Sequence, residues 1–280
     1  MKYLVLGAHG QLGKAFCELL TEKQKDFLPL SRTQLDITQF AQVKEALERL
    51  KPSVIINCSA YNFVDLAEEE PELAHLINEH AVRHLATLCA SLGIKLLHFS
   101  SDYVFSGKAE SPYQEDSQAL PVNTYGLSKL LGEEAIIKNS SNYLIFRSSW
   151  IYGNGTQNFI YKLLQWTQQK DTVAVAFDEV SIPNWTRTLA EITLQAIEDD
   201  LRGLFHLTCG GFCSRYELAC KIIDHMKLNK KIIPVEKKTF DLKAKRGDFL
   251  VLANDKLGRM YTIPHWTEDL ERFLKKKPFA

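Results

Sequence analysis

The chain of 280 residues predicts an α/β protein with a doubly wound parallel sheet and a smaller second lobe. Two observations lead to this prediction. Short apolar runs alternate with amphipathic stretches of helical length, and a glycine-punctuated turn follows the first run. Strands separated by helices form right-handed crossovers, which place ligands at the carboxyl ends of the strands. The pattern is therefore that of a Rossmann-type core.

Each element of this core follows from one run of residues. Apolar runs predict strands at 3–6, 54–57, 96–99, 143–152 and 203–207, and amphipathic stretches predict helices at 12–20, 73–92 and 125–137. Because 203–207 returns to the sheet after a less regular stretch, the two lobes are interleaved in sequence. We expect a dinucleotide-binding core at 1–153 with a returning segment at about 186–208, and a substrate-binding lobe at 154–185 and 209–280.

The composition disfavours several classes of partner. Lys+Arg and Asp+Glu both number 34, so nothing general attracts nucleic acid or an anionic membrane. No apolar run reaches the ~20 residues of a membrane span, and we expect a cytoplasmic protein. Six scattered cysteines indicate reduced thiols, and the spacing of Cys209 and Cys213, without a second pair, predicts no metal site.

Gly7, Gly10 and Gly13 come between the first strand and the first helix. Glycines in this position let main-chain N–H groups approach a pyrophosphate at a helix N-terminus. The spacing G-x-x-G-x-x-G is typical of short-chain reductases and differs from the G-x-G-x-x-G of two-domain dehydrogenases. The alternative is an ordinary turn between a strand and a helix.

The end of the second strand predicts the choice of dinucleotide. It reads Ser31-Arg32 and has no carboxylate to bind the ribose of NAD. A guanidinium favours a ribose phosphate, so we predict NADPH as the cofactor, with NADH as the alternative. Arg32 could equally point into solvent and bind no ligand. Asp36-Ile37 is expected near the adenine, and Ser59-Ala60-Tyr61 beneath the middle of the dinucleotide. The predicted cofactor-binding residues are Gly7, Gly10, Gln11, Leu12, Gly13, Ser31, Arg32, Asp36, Ile37, Ser59, Ala60, Tyr61, Phe99, Tyr125 and Lys129.

Tyr125 and Lys129 are four residues apart on a predicted helix, so their side chains share a face. A cation beside a phenol favours phenolate, and we therefore expect the pKa of Tyr125 to fall below its usual value of about 10. Such a phenol can give a proton to a carbonyl oxygen. Taken alone, Tyr125 and Lys129 could also be two neighbouring residues on an exposed helix face without a catalytic role. Together with Ser101 and the glycine turn, it predicts a reductase.

Seven motifs carry a resemblance to a known family. They are Gly-Ala-His-Gly-Gln-Leu-Gly (7–13), Leu-Asp-Ile-Thr (35–38), Val-Asp-Leu-Ala-Glu (64–68), Ser-Ser-Asp-Tyr-Val-Phe (100–105), Tyr-Gly-Leu-Ser-Lys (125–129), Arg-Ser-Ser-Trp-Ile-Tyr-Gly (147–153) and Leu-Phe-His-Leu-Thr (204–208). The chain resembles extended short-chain reductases of the dTDP-4-dehydrorhamnose reductase type. The resemblance implies NAD(P)H-dependent reduction of the C4 ketone of a 4-keto-6-deoxy nucleotide sugar, from dTDP-4-dehydrorhamnose to dTDP-rhamnose.

The resemblance also implies roles for individual residues. Ser101 takes the place of the usual catalytic threonine, Tyr125 is the acid, and Lys129 holds the nicotinamide ribose. Ser101 would hydrogen-bond the substrate oxygen, and Asp102 and Trp150 would line the sugar pocket. Trp150 at the end of a core strand also fits simple packing.

The chain departs from the family pattern in the second lobe. It has Asp178-Glu-Val-Ser-Ile-Pro-Asn184 where relatives read Asp-Gln-x-Gly-x-Pro-Thr, and Arg246-Gly-Asp-Phe-Leu250 where they read Arg-Pro-x-x-Ser. These positions would touch the nucleotide and its diphosphate, so the identity of the sugar stays open. Residues 221–280 are rich in Lys and Arg, and Arg246 is the predicted phosphate contact.

Two other functions remain open. A nucleotide-sugar epimerase or dehydratase keeps the same Ser-Tyr-Lys set, but Asp102-Tyr103 lacks the adjacent Asp-Glu pair of a dehydratase. The chain also resembles the regulatory β subunit of methionine adenosyltransferase, which uses this fold to bind a partner. Relatives can form homodimers, sometimes with a divalent ion, so a homodimer is open and no residue is assigned to a metal.

Overall fold

A computed structural model describes residues 1–276. Its strands, in chain order, are β1 (Tyr3–Leu6), β2 (Phe27–Leu30), β3 (Val54–Asn57), β4 (Lys95–Ser101), β5 (Tyr143–Ser148), β6 (Ile151–Tyr152), β7 (Thr172–Ala176), β8 (Val180–Ser181), β9 (Asn184–Trp185), β10 (Gly203–His206), β11 (Cys213–Ser214) and β12 (Lys231–Val235). The predicted strands at 3–6 and 54–57 have the bounds that the sequence indicates.

The helices surround these strands. They are α1 (Gln11–Glu22), α2 (Phe40–Leu50), α3 (Pro71–His75), α4 (Ala81–Leu92), α5 (Thr124–Asn139), α6 (Phe159–Gln169), α7 (Thr186–Glu198), α8 (Arg215–His225), α9 (Asp255–Gly258) and α10 (Trp266–Lys275). Three-residue 3₁₀ turns lie at Leu66–Glu68, Asp102–Val104 and Lys237–Thr239. A π-helical turn at Leu76–His80 joins α3 to α4. The sequence did not indicate this π turn.

Six parallel strands form the central sheet in the order β10-β5-β4-β3-β1-β2. The strand order reverses between β1 and β3. The chain places β2 on one side of β1, and then β3, β4, β5 and β10 in turn on the other side. In such sheets the ligand crevice opens at this reversal, outside the carboxyl ends of the strands. The predicted Rossmann-type α/β fold is confirmed.

The sheet is buried because its strands carry apolar side chains towards both faces. In β1, Tyr3 and Val5 join one hydrophobic cluster with residues of α1 and α7. Leu4 and Leu6 join a second cluster on the other face, with residues of α2 and α4. Helices on both faces therefore fix the ends of the strands, where the site lies.

A third hydrophobic cluster lies outside the sheet. It draws its buried residues from between Tyr152 and Trp185 and from between Cys209 and Leu274. The paired strands β6-β9, β7-β12 and β8-β11 belong to this part of the molecule. β10, between the two stretches, pairs with β5 in the central sheet. The end of the predicted second lobe, 277–280, lies outside the described residues.

The strand predicted at 143–152 is wrong in its second half. β5 ends at Ser148, and Trp150 has a φ of 36°, a left-handed conformation that a strand does not accommodate. After this bend β6 pairs with β9 instead of continuing the sheet. Trp150, at this bend, lines the ligand cleft.

The two outer strands of the sheet are β2 and β10. β2 contains Pro29, which has no N–H. At the other edge of the sheet, the N–H of His206 in β10 donates to Glu115 Oε1 at 3.1 Å.

Among residues 1–276, no helix has the length and apolar character needed to cross a bilayer.

Candidate active site

A cleft of about 690 Å³ opens at the carboxyl ends of the sheet strands and is lined by residues of both parts of the chain. This volume is within the range of sites for ligands of drug size. The cleft brings together twelve of the predicted site residues: Gly10, Gln11, Leu12, Ser59, Ala60, Phe99, Ser101, Asp102, Tyr125, Lys129, Trp150 and Arg246.

The glycine turn packs closely against the protein's own main chain. Gly7 has a φ of 71°, a conformation open to glycine but costly for other residues. A Cβ on Gly13 would lie 2.3 Å from the main-chain oxygen of Gly7, so α1 packs directly on the turn. Gly10 comes immediately before α1 and lines the cleft. A side chain at Gly7 or Gly13 would displace this turn.

The residues after β2 do not line the cleft, and they are held by local hydrogen bonds. Buried Ser31 bonds with Gln34 and Thr33. Arg32 has a side chain that is 73% exposed, and its Nε lies 3.0 Å from Asp36 Oδ2. Ile37 lies in the hydrophobic core, so only its main chain can face a ligand. Their predicted contacts with the adenosine part of a dinucleotide stay predictions.

Tyr61, which was predicted beneath the dinucleotide, is held by the π turn and is also outside the cleft lining. The N–H of Tyr61 donates to Asn78 Oδ1 at 2.9 Å, and Asn78 Nδ2 donates to the carbonyl of Tyr61 at 2.9 Å. The same amide donates to Ser128 Oγ at 3.0 Å. Asn78 thus fixes the loop after β3 to α5, the helix that carries Tyr125 and Lys129.

Ser101 and Tyr125 meet at the centre of the cleft. Ser101 ends β4, and its Oγ accepts from the N–H of Tyr103, which starts the following 3₁₀ turn. Tyr125 lies in the first turn of α5, whose N-terminus is capped by Asn123. Ser101 is close enough to the Tyr125 phenol to lower its pKa, and both side chains line the cleft. Both hydroxyl groups therefore belong to one site.

The expected fall in the pKa of Tyr125 is wrong for this structure. Burial raises the pKa of Tyr125 to about 12, the nearby Ser101 hydroxyl acts to lower it, and the charge of Asp102 acts to raise it. Lys129 shares the helix face and the cleft, but its ammonium is directed to other partners. The phenol is consequently protonated over the whole neutral range, so it has a proton to donate.

Lys129 is 2% exposed. Its Nζ donates to the main-chain oxygen of Phe99 at 2.6 Å and lies 3.2 Å from His98 Nε2. Burial lowers the pKa of Lys129 to about 8, against the attraction of Glu133. Burial and Lys129 also lower the pKa of His98 well below its usual value, so this imidazole is neutral. The lysine is thereby held at one position at the floor of the cleft.

Asp102, predicted to line the sugar pocket, is 1% exposed and has both carboxyl oxygens engaged by serines. Ser101 Oγ lies 2.9 Å from Oδ1, and Ser181 Oγ lies 2.9 Å from Oδ2. Burial raises the pKa of Asp102 to about 7, although both hydroxyl groups and Arg215 lower it. Asp102 borders the cleft but faces neighbouring side chains.

Trp150 lies beside an arginine that sequence reasoning did not identify. The guanidinium of Arg215 is 3.6 Å from the centre of a Trp150 ring, and its Nε is 3.5 Å from Glu179 Oε1. Arg215, Glu179 and Trp150 all line the cleft. A cation stacked on an indole gives this wall a fixed positive charge next to an apolar surface.

Arg246, the predicted phosphate contact, is paired with a carboxylate. Its Nη1 lies 3.0 Å from Asp65 Oδ1, and its Nη2 lies 2.6 Å from Asp65 Oδ2. This two-pronged pair lowers the pKa of Asp65. Arg246 does line the cleft, but Asp65 balances its charge, and Glu179 is the corresponding partner of Arg215.

Sequence reasoning missed several other residues of the cleft wall. Ser148 faces Ser101 across neighbouring strands, and its buried hydroxyl has no hydrogen-bond partner among the described residues. An unpaired buried hydroxyl at this position is available to a ligand. Ser148 lies within the motif 147–153, so the motif itself was the signal. Arg215 gave no such signal, because only the fold brings it to the cleft.

Known proteins resemble this chain over its whole length. The model of the RmlD substrate binding domain family matches residues 1–278. The dTDP-4-dehydrorhamnose reductase of Burkholderia thailandensis is 31% identical over 285 aligned residues, covering 95% of each chain. The chain belongs to the dTDP-4-dehydrorhamnose reductase family.

Two further proteins extend the comparison. The spore coat polysaccharide biosynthesis protein SpsK of Bacillus subtilis is 32% identical, and the alignment covers 100% of this chain and 99% of SpsK. The crystal structure of dTDP-4-dehydrorhamnose reductase from Bacillus anthracis, described in complex with NADP, is 32% identical and has a TM-score of 0.95. It is matched over 99% of its length by 98% of this chain.

Proposed function

We propose that this protein is an NADPH-dependent reductase that converts dTDP-4-dehydrorhamnose to dTDP-rhamnose by reducing the ketone at C4. Relatives named for this activity match 95% and 99% of the chain. The observation that carries the proposal is that Ser101, Tyr125 and Lys129 line one cleft, which Gly10 of the glycine turn also lines.

The described residues fit a dinucleotide. The turn after β1 leaves no room for a Cβ at Gly7 or Gly13, and it presents main-chain N–H groups at the start of α1. The family relative from Bacillus anthracis is described with NADP. NADPH, when bound, supplies the hydride for the reduction. Lys129 and the glycine turn would hold it, and Arg32 would contact its ribose phosphate.

The chain's own residues supply the proton and orient the ketone. Tyr125 donates its phenolic proton to the oxygen at C4, and Ser101 donates a hydrogen bond to the same oxygen. Fixed donors of this kind stabilise negative charge that develops on oxygen. Trp150 and Arg215 form the wall where an apolar sugar face and an anionic phosphate could both bind. We assign 154–185 and 209–276 to the lobe that binds the nucleotide sugar.

Replacing Tyr125 by phenylalanine tests the assigned acid. Tyr125→Phe should lower kcat for NADPH oxidation with dTDP-4-dehydrorhamnose by about 10²–10⁴, because the ring remains and only the proton donor is lost. Binding of NADPH, followed by fluorescence titration, should persist. Tyr261→Phe is the control, since this phenol bonds Asp199 and lies outside the cleft. Normal turnover by a folded Tyr125→Phe protein would exclude Tyr125 as the acid.

Product analysis separates the proposal from its alternatives. A reductase consumes one NADPH for each sugar converted, whereas an epimerase or dehydratase returns the dinucleotide unchanged. If the wild-type protein consumes no NADPH with any 4-keto nucleotide sugar but binds a methionine adenosyltransferase, the partner-binding alternative replaces ours. The assay should include NADH, because its relative kcat/KM measures the predicted preference for NADPH.

A further inference from the structure

One face of α6, the first helix of the second lobe, lines the cleft. Phe159, Lys162 and Trp166 are three and four residues apart, so their side chains project from the same side of the helix. All three line the cleft. Leu163 and Leu164 of the same helix are buried in the hydrophobic cluster of the second lobe. The cluster therefore fixes the rotation of α6, and with it the face that α6 turns to the cleft.

A row of stacked side chains connects this face with the catalytic end of the cleft. The centre of the Trp166 ring lies 6.3 Å from that of Phe159, with an angle of 75° between the ring planes. The Arg215 guanidinium lies 5.1 Å from the centre of the Phe159 ring and 3.6 Å from that of a Trp150 ring. Trp150 follows β5, whose last residue lies beside Ser101 in the sheet. The row therefore runs from the catalytic end, through Trp150 and Arg215, to Trp166.

Lys162 supplies a positive charge that the protein itself leaves unbalanced. Its side chain is exposed and forms no hydrogen bond or ion pair with residues 1–276. The other cations of the cleft lining each have an acceptor: Arg215 has Glu179, Arg246 has Asp65, Lys237 has Asp248, and Lys129 has the main-chain oxygen of Phe99. An unpaired cation can bind an anionic ligand without first giving up another partner. The charge of Lys162 therefore favours an anionic group at this part of the cleft.

Trp166 offers an exposed aromatic surface one helical turn after Lys162. It is 40% exposed and lines the cleft, whereas Trp185 and Trp266 are buried. Exposed aromatic rings in a positively charged groove stack on nucleobases, because every base has a π face. Lys162 and Trp166 thus place a cation and a stacking surface on one helix face, and these are the two groups that a nucleotide needs.

We propose that this face of α6 binds the nucleoside diphosphate part of the substrate, with the diphosphate between Arg215 and Lys162 and the base stacked on Trp166. The assignment rests on the proposed function for the identity of its ligand. Its direction follows from the row of contacts, in which Trp150 is next to the catalytic end and Trp166 is at the far end. A sugar, a diphosphate and a base follow one another in the substrate, and an indole, two cations and a second indole follow one another along the wall.

Replacing Lys162 by alanine tests the diphosphate contact. Lys162→Ala should raise the KM for dTDP-4-dehydrorhamnose about tenfold and leave kcat and the KM for NADPH unchanged, because the diphosphate does not take part in the reduction. The difference from wild type should shrink as the salt concentration rises. Lys138→Ala is the matched control, since Lys138 is another exposed lysine on a helix and lies outside the cleft. Equal KM values in Lys162→Ala and Lys138→Ala would refute the contact.

Binding of dTDP without cofactor or turnover tests the stacking. Saturating dTDP should quench the tryptophan fluorescence of the wild-type protein, and Trp166→Leu should lose most of this quenching. Calorimetric titration should show that Trp166→Leu binds dTDP about tenfold more weakly than the wild type. Trp150→Phe is the control, because dTDP lacks the sugar assigned to Trp150, and this variant should keep the quenching. Lys162 and Trp166 are both exposed, so circular dichroism should show both variants folded.

The results distinguish failure of this assignment from failure of the proposed function. A wild-type protein whose Trp166 is quenched by dTDP, but which consumes no NADPH with any 4-keto nucleotide sugar, would retain the nucleotide site and lose the reductase proposal. An active reductase in which Trp166→Leu and Lys162→Ala bind dTDP as tightly as the wild type would overturn the assignment of α6.

Discussion

Arg32 illustrates how much one exposed residue can decide. Its guanidinium stands at the end of β2, where no carboxylate is present to bind a ribose hydroxyl, and it is 73% exposed while paired with Asp36. An exposed ion pair of this kind contributes little to stability. Replacing Arg32 should therefore change dinucleotide binding and leave folding stability almost unchanged.

Replacing Arg32 by alanine should change cofactor preference. We expect the KM for NADPH to rise about tenfold in Arg32→Ala and the KM for NADH to stay constant, because only NADPH has a phosphate for the guanidinium to bind. Steady-state kinetics with both dinucleotides provide the measurement. Arg202→Ala is a suitable control, since Arg202 also pairs with an aspartate at the surface, Asp200, and lies outside the cleft. Equal changes with NADPH and NADH would rule out phosphate recognition by Arg32.

At the scale of residues, motifs predicted which side chains meet but not their ionisation. Ser101, Tyr125 and Lys129 are close in a short stretch of sequence and do line one cleft. The predicted fall in the pKa of Tyr125 was wrong because this pKa depends on burial and on Asp102, neither of which the spacing of two residues reveals. The contact of Ser181 with Asp102 could not be predicted either, because the two residues are 79 positions apart in the chain.

At the scale of elements, the close packing of α5 against the π turn determines where the site helix lies. A Cβ on Gly132 would be 2.2 Å from the main-chain oxygen of Asn78. The same Asn78 holds Tyr61 and Ser128 through its side chain. The helix with Tyr125 and Lys129 can occupy this position only while residue 132 has no side chain.

Gly132→Ala should therefore destabilise the protein, although alanine usually favours a helix. Overpacking against Asn78 should reduce the free energy of unfolding by about 1–3 kcal/mol. Gly258→Ala is the control, because its nearest neighbour would be 4.0 Å away, and there alanine should be neutral or stabilising. Urea unfolding followed by circular dichroism measures both variants. A Gly132→Ala protein as stable as Gly258→Ala would show that α5 and the π turn are not tightly packed.

Long periodic elements were easier to predict from sequence than short ones. The predicted helix at 125–137 is α5, and the strand predicted at 96–99 is the centre of β4. The bend at Trp150 was not predicted, because 143–152 was read as a single strand, whereas β6 pairs with β9 outside the central sheet. Strands of two residues, such as β8 and β11, have too few positions to show a period.

At the scale of the whole molecule, one ion pair ties the C-terminal part of the chain to the loop after β3. Arg246 makes two short contacts with Asp65, and Asp65 also accepts from the N–H of Ala244 at 3.1 Å. Asn123 Nδ2 donates to the carbonyl of Lys245 at 2.8 Å. Asp65 and Asn123 thus hold the segment at 244–246, of which Arg246 lines the cleft.

A double-mutant cycle tests this connection. Asp65→Ala and Arg246→Ala should each raise the KM for the nucleotide sugar, because the segment at 244–246 loses its anchor. The double variant should show a coupling energy of about 0.5–3 kcal/mol, since each single change leaves a charge without its partner. Both the KM and the free energy of unfolding should be measured. Strictly additive effects would mean that the pair does not join the two parts of the chain.

The interleaving of the chain limited what sequence could predict at this scale. Residues 203–207 read as a returning strand, and β10 does pair with β5. The lobe built from 152–185 and 209–274 has its own hydrophobic cluster, but its strands are short and its sheets have two members each. The basic character of the last sixty residues was visible in sequence, whereas the pairing of Arg246 with Asp65 was not.

The outer strands of the central sheet have a consequence for behaviour in a crowded solution. An open edge of a sheet can recruit a strand from another molecule and begin aggregation. Pro29 interrupts the row of donors along β2, and Glu115 occupies the N–H of His206 in β10. Partly for this reason, the folded chain can maintain a continuous six-stranded sheet without offering either side as a template for fibril growth.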